Sequence, residues 1–491
     1  MKTTTAILHV TTLTLGAALS ASTLADLSDL QGQFQSELEE LAAITNQNTY
    51  DELKQQGCND QDREPTESCT ASTFLVWQNV RELVHTANEL IDSGPTQFSL
   101  DLDLEGLGFS LRWTAGEEFS SQESMTNSFA GGQLSNLSSR ITALRSGASG
   151  FSIANWTNPQ QNNIAMSSGL NAGDDINASD AWSRWGGFLN GSYTYGNQDP
   201  TQREDAFDFD GSDINGGVDY RINDNWVVGG LIGYQTQEIN FDSSLSIVDG
   251  GVNMDGWSIL PFVLYQDEHW FTNLSAGYQK SDFDTERSIR YPSLNPNVGS
   301  VNTVAISSNS ASTWLANWAG GYSFSITDAF TIEPSVGVNY QHVSISDYTE
   351  KDLQNDGFNF LVLEQTIKSL ETVFSLKAQY VFSTSYGVFL PYVNLQSFSQ
   401  QETDDRYIDA IYANASSVIT DNARFSLPTN TPDSDYKIYG IGLAAVLRGA
   451  SQKTLDAPAS GGIQAFLNYR EIIDVGDYSQ KIIAGGIRYE F

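Results

Sequence analysis

Long hydrophobic runs are absent from this 491-residue chain. Past Ala25 there is no stretch of about 18 consecutive apolar residues, so no membrane-spanning helix is expected there. Strands remain free to face lipid, because a barrel exposes only alternate strand residues and its hydropathy signal is weak. Basic residues are scarce, with 24 Lys+Arg against 60 Asp+Glu and a net charge of −36. Phosphate backbones need clustered cations, so nucleic acid is not expected as a partner. The acid is spread along the chain, 23 acids to 6 bases over 26–181 and 37 to 17 from 182 onward, which reads as soluble, self-repelling loops.

Histidine and cysteine are also few. Only His85, His269 and His342 lie beyond the N-terminal segment, and the cysteines are Cys58 and Cys69. A zinc site wants several such ligands, so no metal and no cofactor are expected. A Ser-His-Asp hydrolase would need His85 as its base. No Gly-x-Ser-x-Gly elbow accompanies it, and Gly147-Ala148-Ser149-Gly150 only approaches one. The acid pairs Glu117-Glu118 and Asp174-Asp175 read as solvated loop neighbours rather than a glycosidase pair. No catalytic residue is assigned, and the chain is read as non-enzymatic.

The N-terminus has the build of a secretory leader over 1–25. Lys2 is its basic end, Ala6 to Ala18 its mildly apolar centre, and Thr23-Leu24-Ala25 or Leu19-Ser20-Ala21 its cleavage site. In an exported chain, Cys58 and Cys69 are expected to form one local disulfide. Leu27, Leu30, Phe34, Leu38, Leu41 and Ile44 recur at helical spacing and predict a first helix. A second is expected from Ser72 or Thr73, with its stripe at Val76, Val80, Leu83, Ala87 and Leu90. The cysteines fall between the two, which predicts a disulfide-closed helical hairpin. Phe98 to Trp113 alternates apolar and polar before and after Gly106 and Gly108, and predicts a β-hairpin or two short strands. Over 134–156, Leu134, Leu137, Ile141 and Leu144 make a narrow helical stripe, and Arg140, Arg145 and serines cover the rest. Such a helix is too polar for lipid and suits a polar lumen.

From Trp182 to Phe491 the period is two. Twelve strands are expected, near 182–196, 212–222, 225–240, 252–266, 269–282, 311–326, 329–345, 366–382, 386–401, 435–448, 461–474 and 479–491. In one, Trp314, Ala316 and Trp318 alternate with Leu315, Asn317 and Ala319; in another, Ile332, Pro334 and Val336 alternate with Glu333, Ser335 and Gly337. One face suits lipid and the other suits a wet or plugged lumen. Trp185, Trp226, Trp257, Trp270, Tyr265 and Tyr392 fall near strand ends, where amphipathic rings favour the membrane interface. Short links such as 223–224 and 327–328 alternate with long ones such as 283–310, 346–365 and 402–434, the rhythm of short periplasmic turns and long external loops. The chain closes on Ile483, Gly485, Ile487, Tyr489 and Phe491, alternating with Ala484, Gly486, Arg488 and Glu490.

That ending resembles the terminal strand of bacterial outer-membrane β-barrels. The blocks Gly216-Gly217-Val218-Asp219-Tyr220 and Val228-Gly229-Gly230-Leu231-Ile232-Gly233-Tyr234, taken with it, resemble the translocator domain of autotransporters. Asn136 to Arg145 is similar to the helix that plugs that lumen. The resemblance implies an all-β transmembrane barrel of about 12 antiparallel strands over 182–491, a lumen helix and linker over 134–181, and a small helical or mixed passenger-like domain over 26–133. It implies a monomer in the outer membrane lipid, assisted by periplasmic chaperones and by an assembly machinery that reads Ile487, Tyr489 and Phe491. The expected function is to anchor a short N-terminal domain and translocate or display it at the cell surface, with adhesion as a possible role. The alternative is a plugged channel whose N-terminal domain is periplasmic. Some relatives cleave themselves at an Asn-Asn pair. Asn162-Asn163 and the lone Asn136 are the nearest counterparts, and retention is expected.

Overall fold

In this computed structural model the described residues are 27–147, 185–223, 225–241, 248–267, 269–401, 406–429, 435–448 and 462–490. The leader, Asp174-Asp175, Asn162-Asn163, the link at 449–460 and Phe491 lie outside them. Twelve antiparallel strands form a closed barrel: β1 (Trp185–Gln198), β2 (Phe207–Arg221), β3 (Trp226–Phe241), β4 (Gly250–Gln266), β5 (Trp270–Tyr291), β6 (Val301–Tyr322), β7 (Phe330–Ile345), β8 (Gln365–Tyr380), β9 (Gly387–Gln400), β10 (Asp435–Arg448), β11 (Ile463–Ile473) and β12 (Tyr478–Glu490). Each pairs with its sequence neighbour. Closure comes from β1 on β12, in register from Gly186 opposite Glu490 to Gln198 opposite Tyr478.

The two-residue period sorts the side chains as expected. Trp314, Trp318, Leu467, Ile483, Ile487 and Tyr489 face outward, while Leu315, Gln464, Asn468, Ala484 and Arg488 are buried inside. Trp185, Trp226 and Trp270 ring the short-turn end, each against a tyrosine (Tyr220, Tyr265 and Tyr322). A second aromatic tier holds Trp257, Tyr278 and Trp314. On β3, Trp226 and Tyr234 are eight residues apart, about 26 Å of strand, which suits an outer-membrane apolar band. Among the described residues no helix is long and apolar enough to cross a membrane. Tyr392 departs from the expectation. Its strand position turns it into the lumen, where Gly442 leaves room; a Cβ there would sit 2.4 Å from the ring.

Strands β5 and β6 are longer than the sequence suggested. Residues 283–291 and 301–310 are read above as loop, yet they continue the hairpin past the apolar band. Phe283, Ile289 and Tyr291 still alternate, but against protein rather than lipid. Beside this tall hairpin, residues 348–349, 360–362, 407–412 and 425–428 form a separate four-stranded sheet over the long-loop end.

The N-terminal residues form a 3-10 turn at Leu27–Leu30 and helices α1 (Glu37–Gln56), α2 (Ala71–Leu90), α3 (Leu104–Trp113) and α4 (Glu118–Gly147). The stripe beginning at Leu27 does not make one helix. Gly32 is left-handed at φ 75°, and the Ser36 hydroxyl accepts from the Glu39 N–H to start α1. The second helix starts earlier than expected, with Thr70 at its cap. Cys58 and Cys69 are bonded and close the α1–α2 connection. The expected hairpin at 98–113 is instead an extended stretch followed by α3. Asp103 caps α3 by accepting from the Gly106 N–H at 2.9 Å, and Leu107 and Leu111 share its buried face. Helix α4 begins at Glu118, well before the expected 134.

Residues 27–113 sit on the long-loop end. Their core is continuous with the outer sheet and the tall hairpin, bringing Trp77, Leu83 and Leu111 into one cluster with Phe283, Phe358, Phe360, Tyr412 and Phe425. We call this combined unit the cap. Polar contacts stitch it as well: Asn79 donates to the Asp356 carbonyl, Asn295 to the Ser99 carbonyl and Tyr412 to Asn46 Oδ1.

Candidate functional site

The lumen and its helix are the built site of this molecule. α4 enters at the cap and runs to the short-turn end. Near its start Gln122 bonds Asn309 and Thr285, and near its end Arg145 reaches Glu333. The helix is not centred. Leu134, Leu137, Ile141 and Leu144 pack on Val227, Leu231, Leu260, Phe262, Leu264 and Leu315, which point inward from β3 to β6. Along this seam the inward-facing residues are apolar because the helix stripe covers them. Close approach depends on two glycines. A Cβ at Gly233 would come within 2.3 Å of Gln133 Oε1, and one at Gly256 within 2.8 Å of the Phe129 ring.

Charge pins the helix. Arg140 is ion-paired with Asp219 of β2, which also binds Arg488 of β12 at 3.0 Å, and its guanidinium lies over the Phe188 ring. Arg145 donates to Glu333 of β7 at 2.6 Å, lies 3.6 Å from the Phe271 ring centre, and shares Glu333 with Lys377 of β8. Breaking such buried pairs is costly, about 3–5 kcal/mol, so they fix both rotation and depth. Arg140 and Arg145 were singled out from sequence as lumen-helix residues. Arg140's partner Asp219 was not, nor was Lys377, which shares Glu333 with Arg145, because nothing local to either position signals a cross-lumen pairing.

A second charged group sits where α3 hands over to α4. Arg112 Nε donates to Glu117 at 2.7 Å, and Asp205 lies 3.8 Å from the same guanidinium. Arg287 of β5 donates to both oxygens of Glu350, at 3.0 and 2.6 Å. Glu117 and Glu118 are therefore buried, not solvated loop neighbours. Burial pushes the Glu118 carboxyl up to about 8, although Arg287 pulls the other way.

The histidines take structural places. His85 is buried, accepts the Phe98 N–H at Nδ1 and faces Asp60 at 3.4 Å through Nε2. Among the described residues no group of three His, Cys, Asp or Glu side chains is placed to hold a metal. Of the expected assembly signal, Ile487 and Tyr489 face lipid at the end of β12.

The autotransporter β-domain family model matches residues 187–477, more than half of the chain. This chain belongs to the autotransporters. Its barrel is an outer-membrane barrel, and that domain is a non-enzymatic one. Esterase EstA of Pseudomonas aeruginosa is 21% identical over 225 residues, 45% of this chain and 33% of that protein's length. The chain thus spans about a third of the curated relatives it matches. The translocator domain of the Neisseria meningitidis autotransporter NalP is 12% identical, covers 67% of this chain and 92% of its own, and gives a TM-score of 0.45. The β domain of the Bordetella autotransporter BrkA is 14% identical, with 64% and 100% coverage and a TM-score of 0.40.

Proposed function

We propose that this autotransporter retains its N-terminal region as a fixed cap on the outer face of the membrane, a monomeric surface element that acts by contact and does no chemistry. One observation carries the reading: residues 27–113 share a single core with the long loops. Outer-membrane barrels keep short turns in the periplasm and long loops outside, so a cap fused to the long loops is external. Helix α4 is then the trailing link, pinned in the lumen it passed through. The disulfide-closed connection at 57–70 projects exposed residues and is the natural contact region of an adhesin.

One feature favours contact over catalysis, and a second favours retention of the cap. A triad base needs a ring nitrogen free for its nucleophile, and His85 has one nitrogen on Phe98 and the other turned to Asp60. Asn136, the helix counterpart of a self-cleaving residue, donates its side-chain amide to Asp213 inside an unbroken helix, which favours retention. Assembly would follow the family route, with Ile487, Tyr489 and Phe491 offered to the barrel-assembly machinery.

An epitope inserted at 64–67 tests this. Antibody should bind intact cells as strongly as permeabilised ones. Binding only after permeabilisation would place the cap in the periplasm and favour the plugged-channel reading.

A further inference from the structure

The lumen wall carries two apolar stretches, and α4 covers one of them. The seam on β3 to β6 is sealed by the helix stripe. The other lies on β8 to β11. Val373, Phe398 and Tyr436 are neighbours there in register, and Ile438 stands opposite Ile472. The Phe398 and Tyr436 rings stack at 4.6 Å, with 4° between their planes. All five residues line a cavity of about 590 Å³ that runs beside the polar face of α4. Ile438 and Ile472 point inward yet stay only half-buried, because no helix residue covers them. Apolar surface left facing water is unfavourable, and cavities of about 300–1,000 Å³ are where small ligands bind.

The cations along this cavity are answered. Arg145 and Lys377 share Glu333, Arg406 pairs with Glu123, and Arg470 faces Asp213. Lys368 turns to the outer face of β8, exposed between the buried Ile367 and Ser369. Glu371 of β8 is the carboxylate they leave over. It stands two residues from Val373 on the same face of the strand. It accepts from the Tyr436 hydroxyl at 2.8 Å and the Asn339 amide at 3.2 Å, and it has no cation as partner. Two neutral donors leave acceptor capacity on a carboxylate. The other lining acids outside these pairs, Glu204 and Asp477, lie in links at the long-loop end.

The apolar wall and the carboxylate adjoin. Tyr436 belongs to both, with its ring in the wall and its hydroxyl on Glu371. An ammonium group answers an unmatched carboxylate and is drawn to aromatic faces, while an apolar substituent covers the wall. A metal ion fits less well, since among the described residues no three His, Cys, Asp or Glu side chains gather to hold one. An anion would meet Glu371 with its charge uncompensated.

We propose that the lumen cavity binds a small organic ammonium ion, its charge on the Glu371 carboxylate and its apolar part on the wall of Val373, Phe398, Ile438 and Ile472. The site belongs to the barrel and its helix, so it stands whichever side of the membrane the cap occupies.

Calorimetric titration of the full-length protein in a non-ionic detergent tests it, with the heat of micelles alone subtracted. The probe is benzylammonium chloride; neutral benzyl alcohol and anionic benzoate are the controls, at matched ionic strength. Wild type should bind benzylammonium saturably at one site, at least about tenfold tighter than either control, the difference expected for one charged hydrogen bond. Glu371→Gln keeps an acceptor for Tyr436 and Asn339 and should bring benzylammonium down to the level of benzyl alcohol. A Cβ at Gly131, which lines the cavity from the helix side, would meet nothing within 4 Å. Gly131→Phe should therefore assemble, fill the space and weaken benzylammonium at least about tenfold, which decides the matter if Glu371→Gln fails to fold. Absent binding in wild type, equal binding of benzyl alcohol or benzoate, a preference that survives in a folded Glu371→Gln, or affinity unchanged in Gly131→Phe overturns the proposal.

Discussion

Glu118 occupies the hinge between the cap and the lumen, sealed among Arg287, Glu350 and Glu117. Its carboxyl titrates at about 8 instead of the ordinary 4.5, because burial penalises the charge more than Arg287 repays it. Between those values the folded protein holds a proton that the unfolded chain has released. Its stabilising contribution is therefore full below about pH 4.5 and is lost as pH climbs through about 8. Glu117, raised to about 7 by burial against the pull of Arg112, acts in the same direction. Asp60 acts in the opposite sense. Burial alone would raise it, but hydrogen bonds from His85, Lys54 and Tyr50 hold it well below its usual range. Its contribution is present above about pH 4 and fades in acid. Hydrogen exchange of the outer sheet should thus quicken from pH 6 to pH 9 beyond the intrinsic base-catalysed rise. Glu118→Gln should remove part of that excess; an identical excess in the variant would clear Glu118 of the role.

Secondary structure was the most legible level. The twelve strands lie close to where alternation placed them, because a face turned to lipid and a face turned inward repeat strictly at two residues. The stripe Leu134, Leu137, Ile141, Leu144 marked the lumen helix for the same kind of reason, and the nearness of Cys58 and Cys69 marked their bond. Legibility failed where a local pattern had two solutions. Phe98 to Leu104 alternates like a strand, but the Asp103 carboxylate caps a helix that Leu107 and Leu111 then bury. It failed again where partners are distant, as for Arg140 with Asp219. The disulfide should matter most to the α1–α2 hairpin it closes. For so small a loop the entropic model gives about 2–3 kcal/mol. Cys58→Ser with Cys69→Ser should lower cap stability by that amount in guanidinium titration, while the barrel's heat-modifiable gel mobility stays unchanged.

The molecule as a whole couples its two ends. Trp77 and Leu111 from the start of the chain are buried against Phe360, Tyr412 and Phe425 from its second half. Residues 27–113 alone would leave that surface bare. A fragment of 27–113, disulfide intact, should lack sharp amide NMR dispersion and bind a hydrophobic dye; a well-dispersed, dye-silent fragment would mean an independently folding passenger. The shared core also sets an order of events. Residues 27–113 cannot finish folding until the loops from the second half of the chain have formed, so the start of the sequence is among the last parts of the molecule to be completed.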